Sequence, residues 1–108
     1  MKIRITACLI IFSLFSFNNK NYAQTNVADS LALVALYNAT GGTNWNNTTN
    51  WLTGYVNTWH GITATGDRVT KIDLSYNNLV GGVPIEFGNL TALDSVNFDT
   101  NKLTTIPS

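Results

Sequence analysis

The chain has a single cysteine, Cys8, a single histidine, His60, and few charges: Asp, Glu, Lys and Arg together make up 11% of its 108 residues. Each scarcity excludes something. With a formal charge of zero and no basic run, no face is offered to nucleic acid; with no acidic tail, none is offered to a cationic partner. His60 has no Asp, Glu, Cys or second His at ligand or triad spacing, so it reads as a structural residue. No paired carboxylates, triad, phosphate loop or metal cluster can be read from the chain. Glu86 and Asp94 have no basic or nucleophilic partner in sight. The expectation is a non-enzymatic protein without metal or cofactor. The length allows one small domain.

No apolar run reaches the about 20 residues that cross a membrane. The longest is Ile5 to Phe17; Lys2 and Arg4 precede it and a polar stretch ending in Ala23 follows. That order reads as a secretory signal over residues 1–23, cut between Ala23 and Gln24. Cys8 lies inside the apolar run with most of that run still to come, too early for a lipidated cysteine, and reads as a small hydrophobe. The mature chain then has no cysteine, which excludes a disulfide framework and thiol chemistry. It holds Arg68, Lys71 and Lys102 against Asp29, Asp67, Asp73, Glu86, Asp94 and Asp99, a net charge of −3. A weakly acidic secreted or cell-surface chain does not attract polyanions, and no stable membrane insertion is expected once the signal is removed.

What is present begins with a helix. In NVADSLALVALYNATGG, apolar residues recur at Val27, Leu31, Val34 and Ala35 and at Leu33, Leu36 and Tyr37. Asn26 can cap its start, with Asp29 near the positive end of the dipole, and Gly41 and Gly42 can end it. An irregular segment follows, rich in Asn and aromatics, with Trp45, Trp51 and Trp59 and with Tyr55 among them. An exposed row of such rings would stack on sugars, making a carbohydrate-binding module; the alternative is that they fill a small core. GITAT, the pair Gly66-Asp67 and RVTKIDL then read as a short hairpin whose Gly-first loop suits a type II′ turn.

The second strand of that hairpin enters a repeat. KIDLSYNNLVGGVP, Lys71 to Pro84, is echoed at an offset of 24 by SVNFDTNKLTTIP, Ser95 to Pro107. Val69, Ile72, Leu74, Asn77 and Leu79 map onto Leu93, Val96, Phe98, Asn101 and Leu103; Val83-Pro84 maps onto Ile106-Pro107 at an offset of 23, beside a missing Gly pair. Apolar residues alternating with polar ones make a short strand with one buried face. Asn77 and Asn101 stand where the chain turns away, where an amide can satisfy backbone groups that the bend leaves unpaired. Leu79 and Val83 point back inward, Pro84 starts the return with φ already set, and Phe87 and Leu90 complete it. Such a coil cannot bury its own apolar faces and needs a neighbour on each side.

A period in the twenties written L-x-x-L-x-L-x-x-N-x-L is the leucine-rich-repeat signature. IDLSYNNLVGGVPIEFGNLTALDSVNF resembles the plant-type leucine-rich repeat, and DSLALVALYNATGGTNW with the later WHGI is similar to that family's N-terminal cap. The cap lacks the Cys pair of plant members and looks more like bacterial secreted ones. The resemblance implies an α/β leucine-rich-repeat solenoid, with parallel strands on a concave face, an irregular or 3-10 convex side and a helical cap. It divides the chain into a cap over 24–68, a first repeat over 69–92 and a second, incomplete repeat over 93–108. With fewer than two full coils and no closing cap, the solenoid itself reads as incomplete. The implied binding face comprises Lys71, Asp73, Ser75 and Tyr76 in the first repeat and Ser95, Asn97, Asp99 and Thr100 in the second. Its implied partner is a protein or a glycan. The alternatives are a sugar module built on the Trp-rich cap and the non-catalytic front of a larger secreted enzyme.

Overall fold

The computed structural model describes residues 25–106, and the signal read over residues 1–23 lies outside them, as do Pro107 and Ser108. Helix α1 runs over Val27–Ala39. Its start is set by Asn26, whose Oδ1 accepts the N–H of Ala28 at 2.9 Å and of Asp29 at 3.3 Å. At the other end Thr40 donates its N–H and hydroxyl to the Leu36 carbonyl, and Gly41 takes φ +72° to turn the chain away.

The face that α1 buries is narrower than the sequence implies. Asp29, Ala32, Leu33 and Leu36 point inward, whereas Val27 and Leu31, read as part of the apolar face, are 72% and 63% exposed. The helix is apolar on most of its circumference, so periodicity alone does not select the stripe; the position of the neighbouring strands does.

Strands β1, Ile62–Thr65, and β2, Arg68–Asp73, pair antiparallel across Gly66-Asp67. Gly66 alone of those two takes positive φ, as a type II′ hairpin requires. Upstream, Gly61 at φ +83° accepts the N–H of Asp73 at 2.7 Å, so close that an added Cβ would run into the Asp73 carbonyl. Glycine there is a steric necessity.

Three further strands follow: β3, Val80–Gly82, β4, Ser95–Asn97, and β5, Lys102–Thr105. β2 and β4 pair in parallel, with Lys71 opposite Ser95, Ile72 opposite Val96 and Asp73 opposite Asn97, the same offset as the sequence echo. The two similar stretches therefore lie side by side. β3 and β5 form a second parallel pair, but there the offset is 22 and becomes 23 after an irregularity at Gly81 and Gly82. Between the pairs, Pro84 at φ −75° opens a 3-10 turn over Ile85–Asn89 that packs against α1.

One core joins these parts. Val69, Ile72, Leu74, Leu79, Val83 and Leu90 meet Ala32, Leu33 and Leu36 of the helix and the three tryptophans. Burial falls off sharply in the second stretch. Ile72 is 1% exposed but its counterpart Val96 is 42%, and Val83 is 6% exposed where Ile106 is 64%.

Candidate binding face

The tryptophans are part of that core and not a stacking row. Trp45, Trp51 and Trp59 are all buried, with centroids 4.8 Å apart for Trp45 and Trp51 and 4.9 Å for Trp51 and Trp59. Each indole N–H donates to a backbone carbonyl: Trp45 to Thr40 at 3.1 Å, Trp51 to His60 at 3.0 Å, Trp59 to Thr53 at 2.6 Å. Rings that face one another with their polar edges satisfied have no surface left for a sugar. This corrects the carbohydrate-module alternative. With few aliphatics between residues 43 and 61, aromatic area must supply the burial.

The strand residues are displayed as alternation requires. Lys71, Asp73, Tyr76, Ser95, Asp99 and Thr100 are exposed, and Ser75 and Asn97 half-buried. The parallel register sets Lys71 beside Ser95 and Asp73 beside Asn97. Three of the eight side chains, Asp73, Ser75 and Asn97, are occupied with local turns. Asp73 Oδ1 accepts the Ser75 hydroxyl at 2.7 Å and the Ser75 N–H at 3.1 Å; Asn97 Oδ1 accepts the Asp99 N–H at 2.9 Å. The Ser75 hydroxyl, then its N–H, hold the Asp73 carboxyl below the usual carboxylate range, with a smaller contribution from His60. Among the described residues Lys71 and Asp99 make no ion pair.

Beneath that face the asparagines work across the stack. Asn77, buried, accepts the Asn47 N–H at 2.6 Å and donates to the Asn47 carbonyl at 3.1 Å. Asn101 Nδ2 donates to the Leu74 carbonyl at 2.8 Å and to Phe98 and Asp99 of its own stretch at 2.9 and 3.2 Å. Each side chain thus serves the stretch before it, and Asn47 of the Trp-rich segment stands in for a preceding bend.

A groove of about 410 Å³ opens beyond the ends of β2 and β4, lined by Asn46, Tyr76, Asn78, Thr100, Asn101 and Lys102. Tyr76, Asn78 and Thr100 all take left-handed φ, at +55°, +61° and +56°. Asn46, Asn78 and Lys102 were not among the residues assigned to the binding face from the sequence. The Asn doublets at 46–47 and 77–78 were the available signal, because Asn tolerates left-handed backbone and bonds to it.

Sequence reading also missed Asp29. It is fully buried and accepts Arg68 Nε at 2.9 Å, Arg68 Nη2 at 3.1 Å and the Val69 N–H at 2.8 Å. The bond to Asp29 raises the Arg68 pKa further above its ordinary value. A residue read as a partner of the helix dipole is also the clasp between α1 and β2.

Among the described residues no three His, Cys, Asp or Glu side chains could hold a metal ion, and no helix is long and apolar enough to cross a membrane. The chain is similar to the receptor-like kinase TMK4 of Arabidopsis thaliana, 38% identical over 89 residues that make up 78% of this chain and 9% of that protein. It thus spans less than a tenth of the length of that relative. No family model matches, and no solved structure matches. A plant relative fits the plant-type side of the resemblance.

Proposed function

We propose that residues 25–106 are the cap and first coils of a leucine-rich-repeat solenoid. Its exposed strand face binds a protein partner outside the cell, without catalysis. The observation that carries this reading is the parallel register of β2 on β4, which lines up Lys71 with Ser95 and Asp73 with Asn97 on one exposed face. The asparagines bonding from one stretch to the one before it support the stacking. So does the exposed apolar side of the second stretch, at Val96 and Ile106, which is the kind of surface a further coil covers. Similarity to part of a receptor-like kinase supports a cell-surface setting, and the leader read over residues 1–23 supports export. Fold alone does not locate a ligand, so the face has to be tested directly.

The mature chain lacks cysteine, so a single thiol can be placed at will. A photo-crosslinker on Ser95→Cys, on the strand face, is compared with one on Glu86→Cys, on the return turn, both displayed on source cells. Partner adducts from position 95 alone support the reading. Adducts from position 86 alone, or equal yields from both, overturn it.

A further inference from the structure

We infer that the groove between Tyr76, Thr100 and Lys102 is a binding site for a short neutral saccharide. This rests on the strand-face reading in one respect: Tyr76 and Thr100 belong to both surfaces.

Tyr76 and Thr100 hold the same place in the two stretches, and both are held at left-handed φ. For an aromatic and a β-branched residue that conformation is strained, and such strain persists where the surroundings impose it, commonly at ligand sites. Its result is visible: Tyr76 is 70% exposed, its ring standing at the side of the groove. Asn46 and Asn78 each use their Nδ2 on a backbone carbonyl, Asn46 on Tyr76 and Asn78 on Asn44, both at 3.0 Å. Those bonds fix both amides and leave each an oxygen acceptor and a second N–H. The Thr100 hydroxyl and the Lys102 ammonium have no side-chain partner among the described residues.

The lining is therefore one aromatic ring, two fixed amides that can still donate and accept, a third amide, Asn101, already committed to the backbone, a hydroxyl and an ammonium, with no carboxylate. A molecule that matches it has a flat C–H face and a rim of hydroxyls that donate and accept, as a pyranose has. An extended peptide would look for aliphatic pockets or an open strand edge, and the groove's lining has no aliphatic side chain. One cation on a chain whose residues 24–108 carry −3 does not select a polyanion. The volume lies in the usual range for small-ligand sites.

The test is an amide-shift titration of the full chain, freed of its leader by secretion, with cellotetraose, xylotetraose and mannotetraose, and separately with a random pentapeptide pool. Expected is a saturable shift of the Tyr76, Thr100 and Lys102 amides with at least one tetrasaccharide. Tyr76→Asn, which keeps a residue tolerant of left-handed backbone, then weakens binding about tenfold; Lys102→Ala weakens it several-fold with an unchanged circular-dichroism spectrum. No shift with any tetrasaccharide at about 10 mM, shifts confined to other residues, or shifts from the peptide pool alone overturn the inference. The two proposals fail separately: crosslinking at position 95 is lost if the protein-binding reading is wrong, with the saccharide shifts intact, and the reverse holds if the groove is empty.

Discussion

The side-chain oxygen of Asn101 accepts the backbone N–H of Asn77 at 3.0 Å and that of Leu79 at 2.9 Å, while its amide donates to the Leu74 carbonyl at 2.8 Å. One side chain closes three backbone groups of the stretch before it. Asn77 closes two, the N–H and carbonyl of Asn47, so the order of the stretches is written into polar bonds as well as apolar contact.

Replacing Asn77, itself buried, by Ala is expected to leave the half-buried N–H and carbonyl of Asn47 without their protein partner. The cost should be about 1–3 kcal/mol, the range for one unsatisfied group, because both bonds are only part-buried and water reaches the Asn47 side. Urea denaturation measures it; a loss below about 0.5 kcal/mol would show that water replaces the amide freely.

Asp29→Ala removes a buried acceptor of three hydrogen bonds and frees α1 from β2. The expected loss is about 3 kcal/mol, the low end for a broken buried pair, because the partner Arg68 is a third exposed and can turn to water. Hydrogen exchange should report it first at Val69, whose N–H donates to the lost carboxylate.

Trp51 touches Tyr37, Trp45 and Trp59 at centroid distances of 6.0, 4.8 and 4.9 Å. Trp51→Ala should cost about 3–5 kcal/mol. In the intact chain, acrylamide should quench the tryptophan emission poorly. Ready quenching would contradict the buried cluster.

Gly61→Ala forces a Cβ against the Asp73 carbonyl at a position with φ +83°. A loss of at least about 2 kcal/mol is expected, beyond the usual effect of adding a methyl group to the unfolded chain. A thermal melt suffices to see it.

Asp73 titrates below the usual carboxylate value of about 3.9 because the Ser75 hydroxyl and N–H favour its charged form. A depressed folded-state value means that the stabilisation is present above the unfolded value and is lost as pH falls through the folded one. Carboxyl-carbon chemical shifts should give a midpoint below that of an unstructured Asp. In Ser75→Ala the midpoint should rise, since the largest cause has been removed.

The signals that were legible are local ones. Asn26, Gly41 and Gly66 announced their turns, because caps and tight loops are decided by a few adjacent residues. The echo of Lys71 to Pro84 in Ser95 to Pro107 announced the β2–β4 register, because apolar positions can stack only on their equals. The groove was only half legible: Tyr76 and Thr100 fell within the repeat, whereas Asn46 reaches it from a segment 30 residues away.

The sequence by itself determined the helix and its ends, the hairpin, the repeat period and the set of residues able to form a face, since each follows from short-range geometry and patterning. Tertiary structure alone decided which side of an almost wholly apolar helix is buried, that the tryptophans close on one another, and that Asp29 meets Arg68. It also drew Asn46 to Tyr76 and set β3 on β5 at an offset of 22 before the 23 that the shortened second stretch had announced. The physical reason is common to all of these: burial depends on what arrives from a distance, and a local pattern says which residues can be buried, not against what.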